Sequence, residues 1–428
     1  MDYQQAQAYL DNHIRRGGTP GLERMRDLLD LMGRPQDGYP IVHIAGTNGK
    51  TSTARLTTLI LVAHGLTTGT HTSPHLQRVE ERIAVNGRDS TSEEFALAIT
   101  DVAAFADLRE DAGEVPNTYF ELITAAAFAF FADQAVNAAV LEVGLGGRLD
   151  ATNVVEADVC VVTSIGKDHI EYLGEAIGGI AAEKLAIAGP GSILITGILP
   201  EEAMEEANKT ARTLGIQHRR IDVDFGIEDY ERGVGGWMTS IKGAEATYSD
   251  LFLPLHGHYQ LTNLACSVAA AEALVGRKLD VEAIRDALAV ATAPGRMEAL
   301  ASSPFVMVDG AHNADGIESL VDSLIEEYPT TRWQVLLGMM GDKNVELIVE
   351  HLAQVMRGVV TTRVEDERAI DPVRLAEEVA RIAPGVPVVT SESVLDGLDM
   401  ARAEAGSNGA VLVTGSLYLV GDVRGLLT

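Results

Sequence analysis

The chain has 428 residues, 46% of them hydrophobic and 22% charged. These are the proportions of an ordinary globular protein, and the length calls for two or three domains rather than one core. The formal net charge of −29 argues against nucleic acid and anionic membranes as partners. Against that background the sparse lysines stand out: Lys50, Lys167, Lys184, Lys209, Lys242, Lys278 and Lys343. Cys160 and Cys266 sit in apolar contexts and offer no disulfide framework. The start, Met1-Asp2-Tyr3-Gln4, lacks the basic-then-apolar pattern of a signal peptide. The longest apolar run, residues 122–132, is too short to span a bilayer. A cytoplasmic protein is expected.

In chain order, a helical pattern over the first 30 residues is broken at Gly17-Gly18-Thr19-Pro20-Gly21. Residues 41–45 read as a buried strand, and Gly46-Thr47-Asn48-Gly49-Lys50-Thr51 follows it. Another short strand precedes Thr72-Ser73-Pro74-His75, and residues 122–132 read as a buried helix. The strand at 138–140 runs into Leu141-Glu142-Val143-Gly144-Leu145-Gly146-Gly147-Arg148-Leu149-Asp150-Ala151-Thr152-Asn153. Strands at 159–164 and 192–196 flank a helix at 178–188. This βα alternation predicts a mostly parallel sheet covered by helices.

Residues 216–255 are polar, rich in Gly, Asp and β-branched residues, and lack helical periodicity; they read as antiparallel strands. Helices are predicted at 260–276 and 280–291, and Ala293-Pro294-Gly295 is the best domain boundary. Alternation then restarts, with strands at 305–309, 333–338, 358–362, 386–390 and 410–414. The expected class is α/β: a P-loop-type, mostly parallel sheet ATPase domain over residues 1–295, then a smaller Rossmann-like doubly wound domain over 296–428.

Two motifs carry chemistry. A glycine-rich loop between strand and helix presents backbone N–H groups to phosphate oxygens. In this one Lys50 reaches the β- and γ-phosphates and the Thr51 hydroxyl suits Mg²⁺. The full pattern would place glycine at position 44, which is Ile44, so the loop is a shortened variant; the alternative is a tight turn. Glu142, at the end of a strand, is the natural carboxylate partner of that loop, since Mg²⁺ prefers oxygen ligands. Ser73 and His169 are further ligand candidates, although Ser-Pro is more often a turn and a lone histidine more often structural. Read from the residues alone, Lys184 is a solvated surface lysine on its helix. Asp309-Gly310-Ala311-His312-Asn313 follows the first strand of the second unit, where open α/β sheets bind ligands; the alternative is a strand-to-helix turn capped by Asn313. Arg296 sits at the domain junction, a common ligand position.

Together these strings resemble the folylpolyglutamate synthase and dihydrofolate synthase family of Mur-type ligases. The resemblance rests on the phosphate loop, Ser73-Pro74-His75-Leu76, Thr118-Tyr119-Phe120-Glu121, the Glu142-to-Asn153 string, Asp168-His169, Glu183-Lys184, Asp309 to Asn313, Gly341-Asp342-Lys343 and Gly415-Ser416-Leu417-Tyr418. The Glu142-to-Asn153 string separates this branch from other Mur-type ligases, which share the loop but lack it.

The resemblance implies a set of roles. Gly46, Thr47, Asn48, Gly49, Lys50, Thr51 and Ser52 would cradle ATP, with Asn263, Arg296, Asp309 and His312 contacting it from outside the loop. Ser73, Glu142 and His169, with Thr51, would ligate Mg²⁺, two ions being expected. Lys184 would be carbamylated and help to hold the second. Gly21, Leu22, Thr118, Tyr119, Phe120, Glu121 and Asp150 would lie near the pterin-bearing substrate. Lys50, Lys184, Asp309 and His312 would be the catalytic residues.

Three departures stand out: Thr51 for a common glycine, Ala186 for a common glycine, and Tyr259 for the histidine that usually precedes Gln260. The implied activity is ATP-dependent ligation of L-glutamate to dihydropteroate and to reduced folates through an acyl phosphate, by a bifunctional enzyme expected to be a monomer. The alternatives are folylpolyglutamate synthesis alone or a cell-wall peptide ligase. A GTP switch would need an Asn-Lys-x-Asp motif, and Asn208-Lys209-Thr210-Ala211 fails it.

Overall fold

The computed structural model describes residues 1–14 and 21–428. The expected break at residues 17–20 lies outside the described residues; helices Tyr3–Asp11 and Glu23–Leu31 stand on either side of it.

An eight-stranded sheet forms the larger unit. Its order is Arg88–Asp89, Ile83–Val85, Thr68–His71, Ala138–Glu142, Ile41–Ala45, Val159–Val162, Ile193–Thr196 and Gln217–Arg220. The first two join by antiparallel pairing and the remaining six are mutually parallel. The period-two alternation of the central strand divides two cores. Val42 and Ile44 face helices Lys50–Ala63 and Tyr259–Val275, whereas Ile41 faces helices Ser92–Asp111 and Tyr119–Asp133. Helix Tyr119–Asp133 is apolar nearly all round because it is buried nearly all round.

The stretch expected to be antiparallel divides in two. Gln217–Arg220 instead adds a parallel edge to the main sheet, paired with Ile193–Thr196. Gly226–Gly233, Gly236–Lys242 and Thr247–Leu253 do form an antiparallel sheet, anchored by the buried Trp237 and Tyr248. The parallel edge has no distinctive sequence pattern, because its residues Gln217, His218, Arg219 and Arg220 are polar on both faces.

The C-terminal unit is a six-stranded sheet in the order Glu298–Ser302, Phe305–Val308, Ala410–Thr414, Trp333–Leu337, Met356–Thr362, Val388–Ser391. Glu298–Ser302, not anticipated above, pairs antiparallel at the edge and the rest are parallel. Ala293-Pro294-Gly295 runs between helix Val281–Ala289 and this first strand.

Polar staples join the units. Buried Glu327 accepts from His256 Nδ1 and Gly257 N, both at 2.6 Å. Asp168 accepts from Lys343 Nζ at 2.7 Å and Asn313 Nδ2 at 2.9 Å. Among the described residues no helix is long and apolar enough to cross a membrane.

Candidate active site

The carboxyl ends of both sheets open onto one cavity of about 620 Å³. It is lined by residues 46–52, Ser73, Glu142, His169, Lys184, Asn263, Arg296, Asp309 and His312. Every nucleotide and metal candidate named from the sequence therefore lines it.

The phosphate loop is held from beneath. Ser164 Oγ accepts from Asn48 N at 2.9 Å, and Thr163 Oγ1 donates to Asn48 O at 2.6 Å. Neither residue was singled out in the sequence, since a polar pair after a strand is common. Gly49 has φ 85°, and a Cβ there would meet Asn263 Oδ1 at 2.5 Å, so only glycine permits both the left-handed turn and the close approach. Lys50 Nζ donates to Gly46 O at 3.0 Å and Thr47 O at 3.1 Å.

Lys184 is not the solvated lysine its local sequence describes. It is 5% exposed, and its Nζ donates at 3.0 Å to the same Gly46 carbonyl that takes Lys50. The glycine-rich turn brings its helix here: a Cβ at Gly147 would lie 2.5 Å from Glu183 O, and Arg148 N donates to that oxygen at 3.0 Å. Burial first, and then the neighbouring Lys50, push the Lys184 amine down to about 7.

Glu142 is fully buried. Its Oε1 accepts from Thr51 Oγ1 at 2.9 Å and its Oε2 from Ser73 N at 3.2 Å. Burial pushes its carboxyl up, and Lys50 and these donors pull it back. Beside it, Ser73 Oγ is buried without a hydrogen-bond partner. A buried, unsatisfied hydroxyl costs about 1–3 kcal/mol, a cost that a ligand in the adjoining cavity would relieve. Carboxylate and hydroxyl oxygens next to a phosphate loop fit Mg²⁺. Among the described residues no three His, Cys, Asp or Glu side chains converge as an all-protein metal centre. His169 lines the same cavity, in left-handed backbone with φ 51°, and its Nε2 lies 3.9 Å from Asp168.

The opposite wall belongs to the C-terminal unit. Asp309 Oδ1 accepts from Ala311 N at 2.8 Å, and Oδ2 accepts from Met297 N at 2.9 Å and Tyr259 Oη at 3.1 Å. His312 places Nδ1 2.8 Å from Gly310 O and Nε2 3.4 Å from Asp168 Oδ2. Burial would raise the Asp168 carboxyl, but His312, His169 and Lys343 hold it well below the usual carboxylate range. Asp168 thus acts as the hub joining the two walls. The sequence marked it only as the neighbour of His169 and gave Lys343 no role.

The candidates for the pterin side form a separate cluster that does not line the cavity. Thr118 and Glu121 are a reciprocal capping box for helix Tyr119–Asp133, and Arg24 ties Glu121 to helix Glu23–Leu31 at 2.8 Å. Phe120 packs against Gly144 and stacks on His71 at 5.8 Å. Tyr119 lies under the Arg82 guanidinium, 5.6 Å away. Asp150 accepts from Leu145 N at 2.8 Å and so shapes the turn whose residues Gly144, Leu145 and Gly146 do line the cavity. Gly21 and the buried Leu22 lead into helix Glu23–Leu31.

The Mur ligase middle domain matches residues 44–271, and the Mur ligase glutamate ligase domain matches residues 295–417. The chain is 36% identical over 437 residues to the dihydrofolate synthase/folylpolyglutamate synthase of Mycobacterium tuberculosis, covering 95% of this chain and 90% of the relative. It superposes on Mycobacterium tuberculosis folylpolyglutamate synthase complexed with ADP with a TM-score of 0.95 at 36% identity, over 99% of this chain and 98% of the other. It superposes on Escherichia coli FolC in complex with DHPP and ADP with a TM-score of 0.88 at 31% identity, over 100% and 97% of the two chains. A shared phosphate loop alone would leave the branch open; similarity along nearly the whole chain, through both units, closes it. The chain belongs to the Mur ligase family, in the branch of the dihydrofolate and folylpolyglutamate synthases.

Proposed function

We propose that this protein uses ATP to ligate L-glutamate to the carboxyl group of dihydropteroate and of reduced folates, forming ADP and phosphate. The observation that carries this reading is the unsatisfied Ser73 hydroxyl beside Glu142 and Thr51, on the phosphate loop and facing Arg296, Asp309 and His312 across one cavity. The γ-phosphoryl of ATP passes to the substrate carboxylate, and the amine of glutamate opens the resulting acyl phosphate.

Such a transfer needs positioning and charge neutralisation rather than covalent help. Lys50, now spending its ammonium on Gly46 and Thr47 carbonyls, turns to the transferring phosphoryl. Arg296 and His312 meet the nucleotide from the C-terminal unit, so closure of the two units excludes water that would hydrolyse the acyl phosphate. Thr51, Ser73, Glu142 and His169 would hold Mg²⁺, which supplies charge stabilisation when bound. Lys184 has the chemistry for carbamylation: a buried amine near a second lysine avoids its charge, and the neutral amine adds CO₂ and releases a proton to solvent to become a carbamate anion. The 1–295 and 296–428 division then separates nucleotide loading from the glutamate-ligase half, and the cluster around Phe120 and Asp150 takes the pterin.

The test is direct. The protein is incubated with Mg-ATP, L-glutamate and either dihydropteroate or tetrahydrofolate, and the products are weighed. A gain of one glutamyl residue on both acceptors is expected. Product on tetrahydrofolate alone would restrict the enzyme to folylpolyglutamate synthesis, and ATP turnover without a ligated product would overturn the reading. With ¹⁸O in the acceptor carboxylate, label should appear in the released phosphate.

A further inference from the structure

Tyr259 opens helix Tyr259–Val275 of the larger unit, yet its hydroxyl bonds across the cleft to Asp309 of the C-terminal unit. The next turn of the same helix carries Gln260 and Asn263. Gln260 Nε2 donates to Ser52 Oγ at 3.3 Å, and Asn263 Nδ2 donates to Gln260 Oε1 at 2.9 Å. One short segment therefore touches the phosphate loop at one end and the opposite wall at the other.

What Tyr259 grips matters more than what it is. Asp309 holds the backbone N–H of Met297 and of Ala311, the residues beside Arg296 and His312. Met297 has φ 41°, a left-handed conformation that costs a non-glycine residue about 1–3 kcal/mol and persists only where its surroundings impose it. The bond from its N–H to Asp309 is such a constraint. Gly310 leaves room for Arg296 Nη1, which lies 2.5 Å from where its Cβ would stand. The aim of Arg296 and His312 thus passes through one carboxylate, and Tyr259 supplies that carboxylate with a side-chain donor.

We infer that Tyr259 is a positioning residue for the nucleotide: its hydroxyl locks Asp309, and through Asp309 the Arg296 and His312 backbone, in register with the phosphate loop. Burial keeps the phenol protonated, so it acts as a donor. Burial also pushes the Asp309 carboxyl up while Arg296 and the three donors hold it down; loss of one donor shifts the balance toward a neutral acid that grips Met297 less well. The inference rests on the nucleotide-binding reading above.

The experiment is a double-mutant cycle on Mg-ADP affinity, by calorimetry, with Tyr259→Phe, Asp309→Asn and both together. Tyr259→Phe keeps the ring beside Gly257 and against the C-terminal core and should weaken Mg-ADP about tenfold. The double variant should bind within about twofold of Asp309→Asn alone, because the hydroxyl acts through that carboxylate. A further tenfold loss in the double variant would overturn the inference and make Tyr259 a direct nucleotide contact; unchanged affinity in Tyr259→Phe would overturn it outright. In turnover, Tyr259→Phe should raise the KM for ATP about tenfold and leave the KM for glutamate within about twofold. An equal rise in both would mark general loosening and overturn it. If the parent itself fails to bind Mg-ADP, the nucleotide reading falls; if the parent binds and the cycle fails, only the role of Tyr259 falls.

Discussion

The two walls of the cavity are built on opposite terms. On the phosphate-loop side, polar groups are left wanting: Ser73 Oγ has no partner, and Lys50 and Lys184 share the Gly46 carbonyl. On the C-terminal side the polar groups are satisfied: Asp309 has three donors, and Lys343 and Asn313, with His312 close by, reach Asp168 of the larger unit. The first wall gains most from a ligand, because an anion and a cation would relieve its unmet demands. The second is already organised and gains chiefly by being brought up to the ligand. Substitutions should therefore separate activity from stability on the first wall and join them on the second.

Lys50→Ala should give the largest effect, lowering ligation by about 10²–10³-fold while thermal stability changes little, since the ammonium bonds loop carbonyls and its attraction for Glu142 is opposed by its repulsion of Lys184. Steady-state turnover and a melting curve check both halves.

Lys184→Met should sharpen the contrast further. Activity should fall by on the order of 10²-fold, yet stability in bicarbonate-free buffer should rise. The sign follows from the amine's lowered value. The unfolded lysine is protonated below about 10.4, the folded one only below about 7. The folded state thus binds fewer protons between these limits, and the parent gains stability as pH rises from 7 to 10. The full penalty is present below pH 7 and is on the order of 5 kcal/mol. In Lys184→Met that rise should vanish, as denaturant melts across pH 7–10 would register. In bicarbonate, ¹³C-labelled CO₂ should give a carbamate resonance in the parent and none in Lys184→Arg, which should also stay inactive.

Asp168→Asn removes the anion on which the satisfied wall gathers and should cost about 1–3 kcal/mol, since Lys343 would keep only Asp342, at 3.2 Å, with activity falling alongside. The Asp168 carboxyl is depressed in the folded state, so its contribution is present above the ordinary carboxylate value of about 4 and is lost as pH falls below it. The stability gap between parent and variant should be flat above about pH 5 and should narrow in acid.

Ser73→Ala should be the mildest for activity and should raise stability in the absence of ligand by about 1–3 kcal/mol, because it removes an unsatisfied buried hydroxyl and loses no hydrogen bond. The Mg²⁺ concentration for half-maximal activity should rise about tenfold. A large loss of stability without ligand would mean that Ser73 has a structural partner after all.

Much of this was local and so legible. The strand-loop-helix around Lys50 and the strand ending at Glu142 are patterns of neighbouring residues, and each forms where expected. The parallel sheets follow from βα alternation for the same reason. What escaped local reading was burial and partnership at long range. Lys184 looked solvated because its own helix says nothing of Gly147, some forty residues earlier, which lets the helix approach the loop. Asp168, Lys343 and Tyr259 are ordinary residues until folding sets them across a cleft. The polar edge Gln217–Arg220 and the strand Glu298–Ser302 were misread or missed because an edge strand owes its pairing to the sheet it joins. By itself the sequence determined which segments alternate, which glycine-rich loop joins strand to helix and which carboxylate stands at the neighbouring strand end, since these depend on side-chain period and on chain neighbours. Only the tertiary structure decided which charges are buried together and which are left unmet, because desolvation and pairing depend on what the rest of the chain packs against them.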